Sequence, residues 1–382
     1  MPIHNKQIAI VGGGPGGLTL ARLLEQNGAN VKVYERDINK DVRVQGATLD
    51  LHEDSGLEAL RKAGLIEAFY ANYRPQAGKL KILDKAGIVH LDDHTAEDFG
   101  EQRPEIDRGP LRNILLASLK PDTVVWDSQF VSMQPQNEGW LLQFRNHTTA
   151  YADVVIAADG ANSKIRSYCN PIKAVYSGIT IIEGNLYNAA SNAPALWKLV
   201  NGGKIFAFGD EQSLILSAKG DGCLSFYTGC KVVENWLSES NIDFSDKTQV
   251  ENWFKSAFGS WNSIWLELFA SNELSFVPRP QYHFPLDQYW ETLPNLTLLG
   301  DAAHRMPPYA GEGVNMAMQD ALELAECLLN PAFQSVQEAL TAYENQMRQR
   351  ASTVTQLTLE STEMLHSGNA IEQMLQAFQG VK

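Results

Sequence analysis

The sequence predicts an α/β fold: a discontinuous helix-and-sheet domain joined to an antiparallel-sheet domain, with a long C-terminal helix. Three observations predict it. A strand–glycine–helix pattern opens the chain at 7–26, a strand–Gly/Pro–helix pattern recurs at 296–315, and alternating strands with polar turns lie between them at 203–229. The two glycine-bearing patterns stand near opposite ends of a 382-residue chain, so the domain that unites them must be assembled from distant segments.

The first element is the apolar run QIAIV at 7–11, whose β-branched residues suit a buried strand. Gly12, Gly14 and Gly17 follow in the spacing G-x-G-x-x-G, then a helical pattern from Leu18 that Gly28 ends. A second apolar run at 31–34 leads to Glu35. Gly12 allows a tight turn, Gly14 lets the backbone approach a pyrophosphate, and Gly17 lets helix and strand pack closely; the helix N-terminus supplies N–H groups and a positive dipole end. Glu35, about 20 residues on, is placed to accept a hydrogen bond from a ribose hydroxyl. A glycine pattern alone also describes a ligand-free tight turn. Strand, glycines, helix, strand and acid in this order favour a Rossmann-like dinucleotide site and leave FAD and NAD both open.

Residues 154–157 (VVIA) read as another strand, with Asp159-Gly160 making the turn after it. Residues 203–208, 213–218 and 223–229 read as a meander, with turns at Asp210-Glu211 and 220–222. Residues 235–258 are richer in helix formers, with Trp236, Trp253 and Phe254 as core anchors. The run LTLL at 296–299 is a strand closed by Gly300-Asp301. Asp301 can accept from a ribityl hydroxyl, a group that FAD has and a nicotinamide cofactor lacks, so this segment selects FAD. Pro307 and Pro308 stiffen the loop, and Gly311 and Gly313 bare its backbone before a helix that begins near Val314, whose positive end faces a flavin ring or phosphate. His304 is read as packing the loop rather than as a catalyst. Beyond Pro331, apolar residues at Val336, Leu340, Tyr343, Met347, Val354 and Leu357 recur at helical spacing and predict one long amphipathic helix.

Composition bounds the function. A chain with 44% hydrophobic residues can bury a large core, and a net charge of −14 without a basic cluster argues against nucleic acid. The four cysteines (Cys169, Cys223, Cys230, Cys327) form no C-x-x-C pair, so neither a metal site nor dithiol chemistry is expected, and reduced thiols fit a cytoplasmic location. The first strand begins almost at once, leaving no room for a signal peptide, and no apolar run approaches the ~20 residues that span a bilayer.

The glycine motif with Glu35-Arg36, Asp159-Gly160 in AADGANSKIR, and Gly300-Asp301 resemble the three fingerprints of class A FAD-dependent monooxygenases, the para-hydroxybenzoate hydroxylase group. The chain is more similar still to Tet(X)-type tetracycline monooxygenases. YERD at 34–37, RVQGATLDLH at 43–52, EIDRGPLRNILL at 105–116, VVWD at 124–127, LSFVPRPQYHFPL at 274–286 and GDAAHRMPPYAGEGVN at 300–315 look like that group's segments at similar spacing. The resemblance implies that Arg36 lies near the adenosine of FAD, that Arg43 serves NADPH use, and that Asp50, Arg108 and Asp301 touch FAD. It places Asp159 near both FAD and NADPH. A guanidinium such as Arg108 or Arg112 can fork onto phosphate, though an ion pair is the commoner fate of an arginine. Where Tet(X)-type chains carry substrate-facing glutamine, arginine and histidine, this chain aligns Glu183, Lys204 and Ser225. Each swap changes charge or donor count, which puts tetracycline itself in question and leaves the flavin chemistry untouched.

The implied organisation is an FAD-binding domain from 1–75, 100–172 and 275–330, a substrate-binding domain from 76–99 and 173–274, and a C-terminal helix over 331–382 bridging them. The implied activity is that of a monomeric enzyme using FAD, NADPH and molecular oxygen to hydroxylate, and so inactivate, a tetracycline-like antibiotic. One oxygen atom goes to an electron-rich aromatic or enolic carbon and the other leaves as water. No protein nucleophile or acid–base pair is required, and no catalytic side chain or metal ligand is assigned; the site's main task is excluding water. The alternatives are hydroxylation of another aromatic or polyketide, a flavin reductase or saturase, and a non-catalytic flavin-binding protein. A flavin halogenase lacks support because no W-x-W-x-I-P segment is present.

Overall fold

The structure, a computed structural model, describes residues 1–42, 48–94, 103–271 and 273–380. Its first sheet is wholly parallel, with strands Leu296–Leu298, Val154–Ala157, Gln7–Val11, Asn30–Tyr34 and Val124–Val125 side by side in that order. Val154–Ala157 and Leu296–Leu298 are buried at every residue, as expected for a parallel sheet covered on both faces. Helix Pro15–Glu25 packs on it and also meets helix Gly313–Leu329, where a Cβ on Gly16 would fall 2.8 Å from the Ala317 carbonyl oxygen. The predicted strands at 7–11, 154–157 and 296–299 thus become neighbours in one sheet, with Gln7–Val11 at its centre. A three-stranded antiparallel sheet (Phe130–Gln136, Gly139–Phe144, Thr149–Ala152) stands beside it.

The second large sheet has seven strands in the order Leu274–His283, Val175–Leu186, Leu224–Lys231, Gln212–Ala218, Lys204–Gly209, Leu80–Asp84 and Val89–Asp92. The expected meander is present within a residue or two. Asp210 and Glu211 both take positive φ (52° and 58°), the conformation a two-residue hairpin turn demands. The sheet is not purely antiparallel as expected: Lys204–Gly209 pairs in parallel with Leu80–Asp84. The reason is connectivity, since those strands are joined by a long excursion through the parallel sheet rather than by a hairpin. One face is apolar (Ile182, Leu186, Leu214, Leu216, Phe226) and packs on helices Pro194–Val200 and Lys247–Ala257 and the 3₁₀ turn Ser263–Phe269. Phe254 is fully buried there, with Trp236 and Trp253 half-buried against it.

The single C-terminal helix expected from periodicity is two. Val336–Leu365 runs for 30 residues from a Ser335 cap, breaks at His366–Asn369, and Ala370–Gly380 follows. Ser367 and Gly368 stand at the break, where helix propensity is low. Among the described residues no helix is long and apolar enough to cross a membrane.

Candidate active site

The three motif glycines have distinct steric causes. Gly12 has φ +115°, and a Cβ there would lie 2.1 Å from the Ala158 carbonyl oxygen; a Cβ on Gly17 would lie 2.2 Å from the Gly12 oxygen. Gly17 lets the first helix close on its own turn, and Gly12 lets that turn approach the end of the strand Val154–Ala157. Gly14, the N-cap of Pro15–Glu25, has nothing within 4 Å of its Cβ position, so its bareness serves no contact inside the protein. Glu35 is 2% exposed and ties the loop to the end of the second strand, accepting from the Gly13 N–H at 2.6 Å and the Asp37 N–H at 3.0 Å. A carboxylate accepts through several lone pairs, so this bonding is compatible with a ribose role. Arg36 beside it is exposed. Arg112 is engaged elsewhere: it donates to the Lys40 carbonyl and to Asp37 (3.0 Å) and lies over Trp126, so it does not fork onto phosphate. Arg43 lies outside the described residues.

Asp301 follows the strand Leu296–Leu298 at the start of the short helix Asp301–His304. It is solvent-exposed on one side, while the protein around it crowds and desolvates its carboxyl. That crowding raises its pKa, against the pull of His304, Arg305 and Arg108. Arg108, first residue of helix Arg108–Ala117, is thereby brought near Asp301, and its Nε is buried with no partner among the described residues. Asp159 uses one oxygen to accept from the Lys164 N–H at 2.9 Å, while its Oδ1 is likewise buried and unpartnered. Burial raises the Asp159 pKa although hydrogen bonds from Ser163 and Lys164 oppose the shift. Buried polar atoms are ordinarily satisfied, so these orphans point to a missing polar partner. Bare glycines, an unpaired guanidinium nitrogen, two carboxylates and helix N-termini fit a dinucleotide with hydroxyls along its length, as FAD has.

A buried charge cluster supports this wall. Asp320, fully buried on helix Gly313–Leu329, accepts from the Gly300 N–H (2.8 Å), from His304 Nε2 (2.5 Å) and from Arg350 (2.6 Å). Burial lowers the His304 pKa, but the adjoining Asp320 carboxylate outweighs it and the net shift is upward. His304 therefore packs the loop, as its sequence context indicates. Arg166, buried at the far end of the AADGANSKIR segment, caps the same short helix through the Ala302 and Ala303 carbonyls and stacks on Phe284 at 3.4 Å. Burial without a carboxylate partner lowers its pKa to about 10. Asp320 and Arg350 carry no local motif of their own, and Arg166, though it ends the AADGANSKIR segment, was not singled out because its partners lie far away in sequence.

The same wall continues into the loop after Arg305. Gly311 has φ +74°, and a Cβ there would come within 3.3 Å of Asp50 Oδ1. Gly313 opens onto nothing within 4 Å, and Pro308 is exposed while its carbonyl accepts from the Gly311 N–H. His52 stands between Asp50 (3.2 Å) and Glu312 (3.6 Å), and Asn315 bonds both the Asp50 carbonyl and the His52 N–H at 2.9 Å. Burial works to raise the Asp50 pKa, but the His52 hydrogen bond and the charge of Lys204 win and lower it.

Lys204, Glu183 and Ser225 share one face of the seven-stranded sheet, the face turned towards these loops. Along the row Lys204–Ser217–Ser225–Asn185 the Lys204 ammonium pairs with Glu105, Ser217 meets Thr48 at 3.1 Å, and Ser225 donates to Asn185 at 2.6 Å. Burial raises the Glu105 pKa against the Lys204 charge. The next row, Phe206–Ile215–Tyr227–Glu183, is half-buried except for Glu183, which Arg279 of the neighbouring strand holds in an ion pair. Two of the three residues are thus tied up in ion pairs. Ser225 is fully buried and shapes the sheet, offering no surface to a ligand. The half-exposed apolar residues beside them on this face are Phe206, Ile215 and Tyr227, which alternation alone does not distinguish from core. A further open depression lies between His90, Phe208 and helix Ala370–Gly380.

Comparison with known proteins gives the same reading. The FAD binding domain family model matches residues 5–208 and 281–358. The chain is 30% identical over 424 residues to monooxygenase penA of Penicillium thymicola, covering 96% of this chain and 97% of that one. It is 27% identical over 376 residues to 6-hydroxynicotinate 3-monooxygenase of Pseudomonas fluorescens, covering 94% and 92%. Among solved structures, tetracycline destructase Tet(55) superposes with a TM-score of 0.79 at 18% identity, over 100% of this chain and 97% of that one, a likeness of fold. Both of these curated relatives are named as monooxygenases, one of them for 6-hydroxynicotinate, whereas the likeness to Tet(55) is one of fold. With its glycine cradle, its orphaned polar atoms and its family match in agreement, the chain belongs to the FAD binding domain family and is an FAD-dependent monooxygenase.

Proposed function

We propose that the enzyme uses NADPH and oxygen to hydroxylate a planar, electron-rich aromatic or enolic small molecule, and that a tetracycline-like antibiotic is the specific case to test first. The observation that carries the reading is the floor of Phe206, Ile215 and Tyr227, half-exposed on the sheet face that meets the cofactor-side loops. A flat ring lies well on such a surface, and its two ends fall near the Lys204–Glu105 and Glu183–Arg279 pairs. Curated relatives named for 6-hydroxynicotinate and 3-amino-4-hydroxybenzoate, at 27% and 28% identity, support a hydroxylated aromatic ring as the substrate class.

Gly12, Gly14, Gly17, Glu35, Arg36, Arg108 and Asp159 would hold the adenosine, pyrophosphate and ribityl side of FAD, and Asp301, Pro308, Gly311 and Gly313 its flavin side, with Asp50 fixing the last loop. When bound, FAD supplies the redox and oxygen chemistry. The protein orients the ring and keeps water from the reacting carbon through the apolar floor. The balance is one C–H bond converted to C–OH, O₂ reduced to that oxygen and one water, and NADPH oxidised to NADP⁺.

Mass spectrometry of tetracycline incubated with the protein, FAD, NADPH and air tests the narrower form. A product heavier by one oxygen, absent without NADPH, supports it. Because Lys204 and Glu183 are paired internally, the broader form is tested alongside with hydroxylated single-ring and polyketide aromatics. A yellow protein whose oxygen uptake no such compound stimulates would refute the hydroxylase reading.

A further inference from the structure

Helix Val336–Leu365 and its cap carry Tyr343, Arg350, Thr358 and His366, spaced seven or eight residues apart. About two turns separate each from the next, so the four lie along one stripe. They meet, in the same order, the segment that forms the cofactor wall. Tyr343 donates to the Leu298 carbonyl (3.0 Å), and Arg350 binds the Asp320 that holds Gly300 and His304 (2.6 Å). Thr358 reaches the Met306 sulfur (3.6 Å), and His366 reaches the Tyr309 hydroxyl (3.3 Å). The helix lies along 298–309 like a splint.

The last contact differs in kind, because it is three-way. His366 is fully buried, and its Nδ1–H donates to the Thr362 carbonyl at 2.8 Å, which leaves Nε2 as an acceptor. Two hydroxyls converge on that nitrogen: Ser213 of the substrate-side sheet at 3.0 Å and Tyr309 of the cofactor-side loop at 3.3 Å. The Tyr309 and His366 rings also meet edge to face at 4.9 Å. Gly229, opposite Ser213 in the sheet, makes room: a Cβ there would lie 2.3 Å from Ser213 Oγ, 2.4 Å from the Tyr309 hydroxyl and 2.5 Å from His366 Nε2. Ser213 and Gly229 sit one row from Ile215 and Tyr227 of the floor. One lone pair therefore ties the sheet that presents the floor to the loop that carries Gly311 and Gly313.

We propose that His366 is a positioning residue for the cofactor: through the Tyr309 hydroxyl it latches the loop 307–313 to the substrate-side sheet. The C-terminal helix thereby holds FAD in register with the floor while touching neither FAD nor substrate. This rests on the FAD reading above, and FAD is the probe. Tyr309→Phe removes only the hydroxyl, His366→Gln the imidazole nitrogen that both hydroxyls share, and Ser213→Ala the sheet's donor.

Release of FAD from the holoprotein, diluted into FAD-free buffer, is followed by flavin fluorescence, with the exposed Thr353→Val on the same helix as control. Losing one net hydrogen bond predicts release roughly three- to tenfold faster in Tyr309→Phe and His366→Gln. The double variant should release FAD no faster than His366→Gln alone, since both remove the same tie. A merely structural role would lower the urea midpoint and leave release unchanged in Tyr309→Phe, whose ring still packs. Unchanged release in Tyr309→Phe, or independent and multiplicative effects in the double variant, overturns the latch. If His366→Gln does not fold, Tyr309→Phe and Ser213→Ala decide alone. A wild-type protein that takes up no FAD refutes the functional reading instead; a wild-type protein and variants that hold FAD equally well refute only the latch.

Discussion

Acid should destabilise this fold through His366, by an amount its surroundings allow to be worked out. Desolvation by burial is the chief cause that lowers its pKa from 6.5 to about 4, and the Lys231 charge adds to it. Above pH 6.5 the imidazole is neutral in both folded and unfolded chains, and its contribution is complete. As pH falls below that value the unfolded chain binds a proton that the folded chain refuses until about pH 4, so stability is lost across this window. The loss is about 2 kcal/mol at pH 5 and approaches about 3 kcal/mol below pH 4. Buried carboxylates such as Glu105 and Glu344 have raised pKa values and act with the opposite sign, favouring the folded state as pH falls. They are common to wild type and variant, so the comparison cancels them. Urea unfolding of wild type and His366→Gln at pH 8, 6 and 5 reads the effect. The variant should be the weaker at pH 8, having lost the hydrogen bonds, and the gap should shrink by about 2 kcal/mol at pH 5. A gap independent of pH would refute the reasoning, because it would mean that His366 titrates normally in the fold.

Other outcomes follow from the same geometry. Gly17→Ala forces a methyl to 2.2 Å from the Gly12 oxygen and should yield little folded protein, whereas Gly14→Ala meets no protein atom and should fold normally while losing FAD. Circular dichroism and flavin absorbance separate the two. Asp301→Ala should purify with much less flavin, and a fully loaded yellow variant would remove its assigned role. Asp320→Asn leaves His304 and Arg350 without their shared carboxylate in a buried setting, so it should cost about 3 to 5 kcal/mol in urea unfolding. A loss below about 1 kcal/mol would mean the cluster is open to water.

What was legible in the sequence was short-ranged. Gly12, Gly14 and Gly17 are read within one strand–turn–helix unit, and the clash a Cβ would meet at Gly17 is with Gly12 of that same unit, whereas at Gly12 it is with the distant Ala158. Asp301 was read the same way. The Glu183–Arg279 and Lys204–Glu105 pairs were not legible, since their partners stand 96 and 99 residues apart, the first on paired strands and the second on two different sheets. The parallel pairing of Leu80–Asp84 with Lys204–Gly209 leaves no trace in period-two alternation. Ser367-Gly368 did signal the end of the long helix, but apolar residues continuing at helical spacing beyond it masked the break. His366 and Ser213 give no local sign of meeting, being 153 residues apart.

The strand order of the parallel sheet bears on how the enzyme is made. Gln7–Val11 finds its neighbour Asn30–Tyr34 at once, but its other side waits for Val154–Ala157, and the sheet ends only with Leu296–Leu298. At ribosomal speeds of roughly 5–20 residues per second, the central strand stands with that side unpaired for several seconds at least, and the sheet is complete only after roughly 15 to 60 seconds. Throughout that interval the glycine turn exists without the carboxylate of Asp301 and without the helix that splints it. Flavin capture by the complete site therefore follows synthesis of nearly the whole chain.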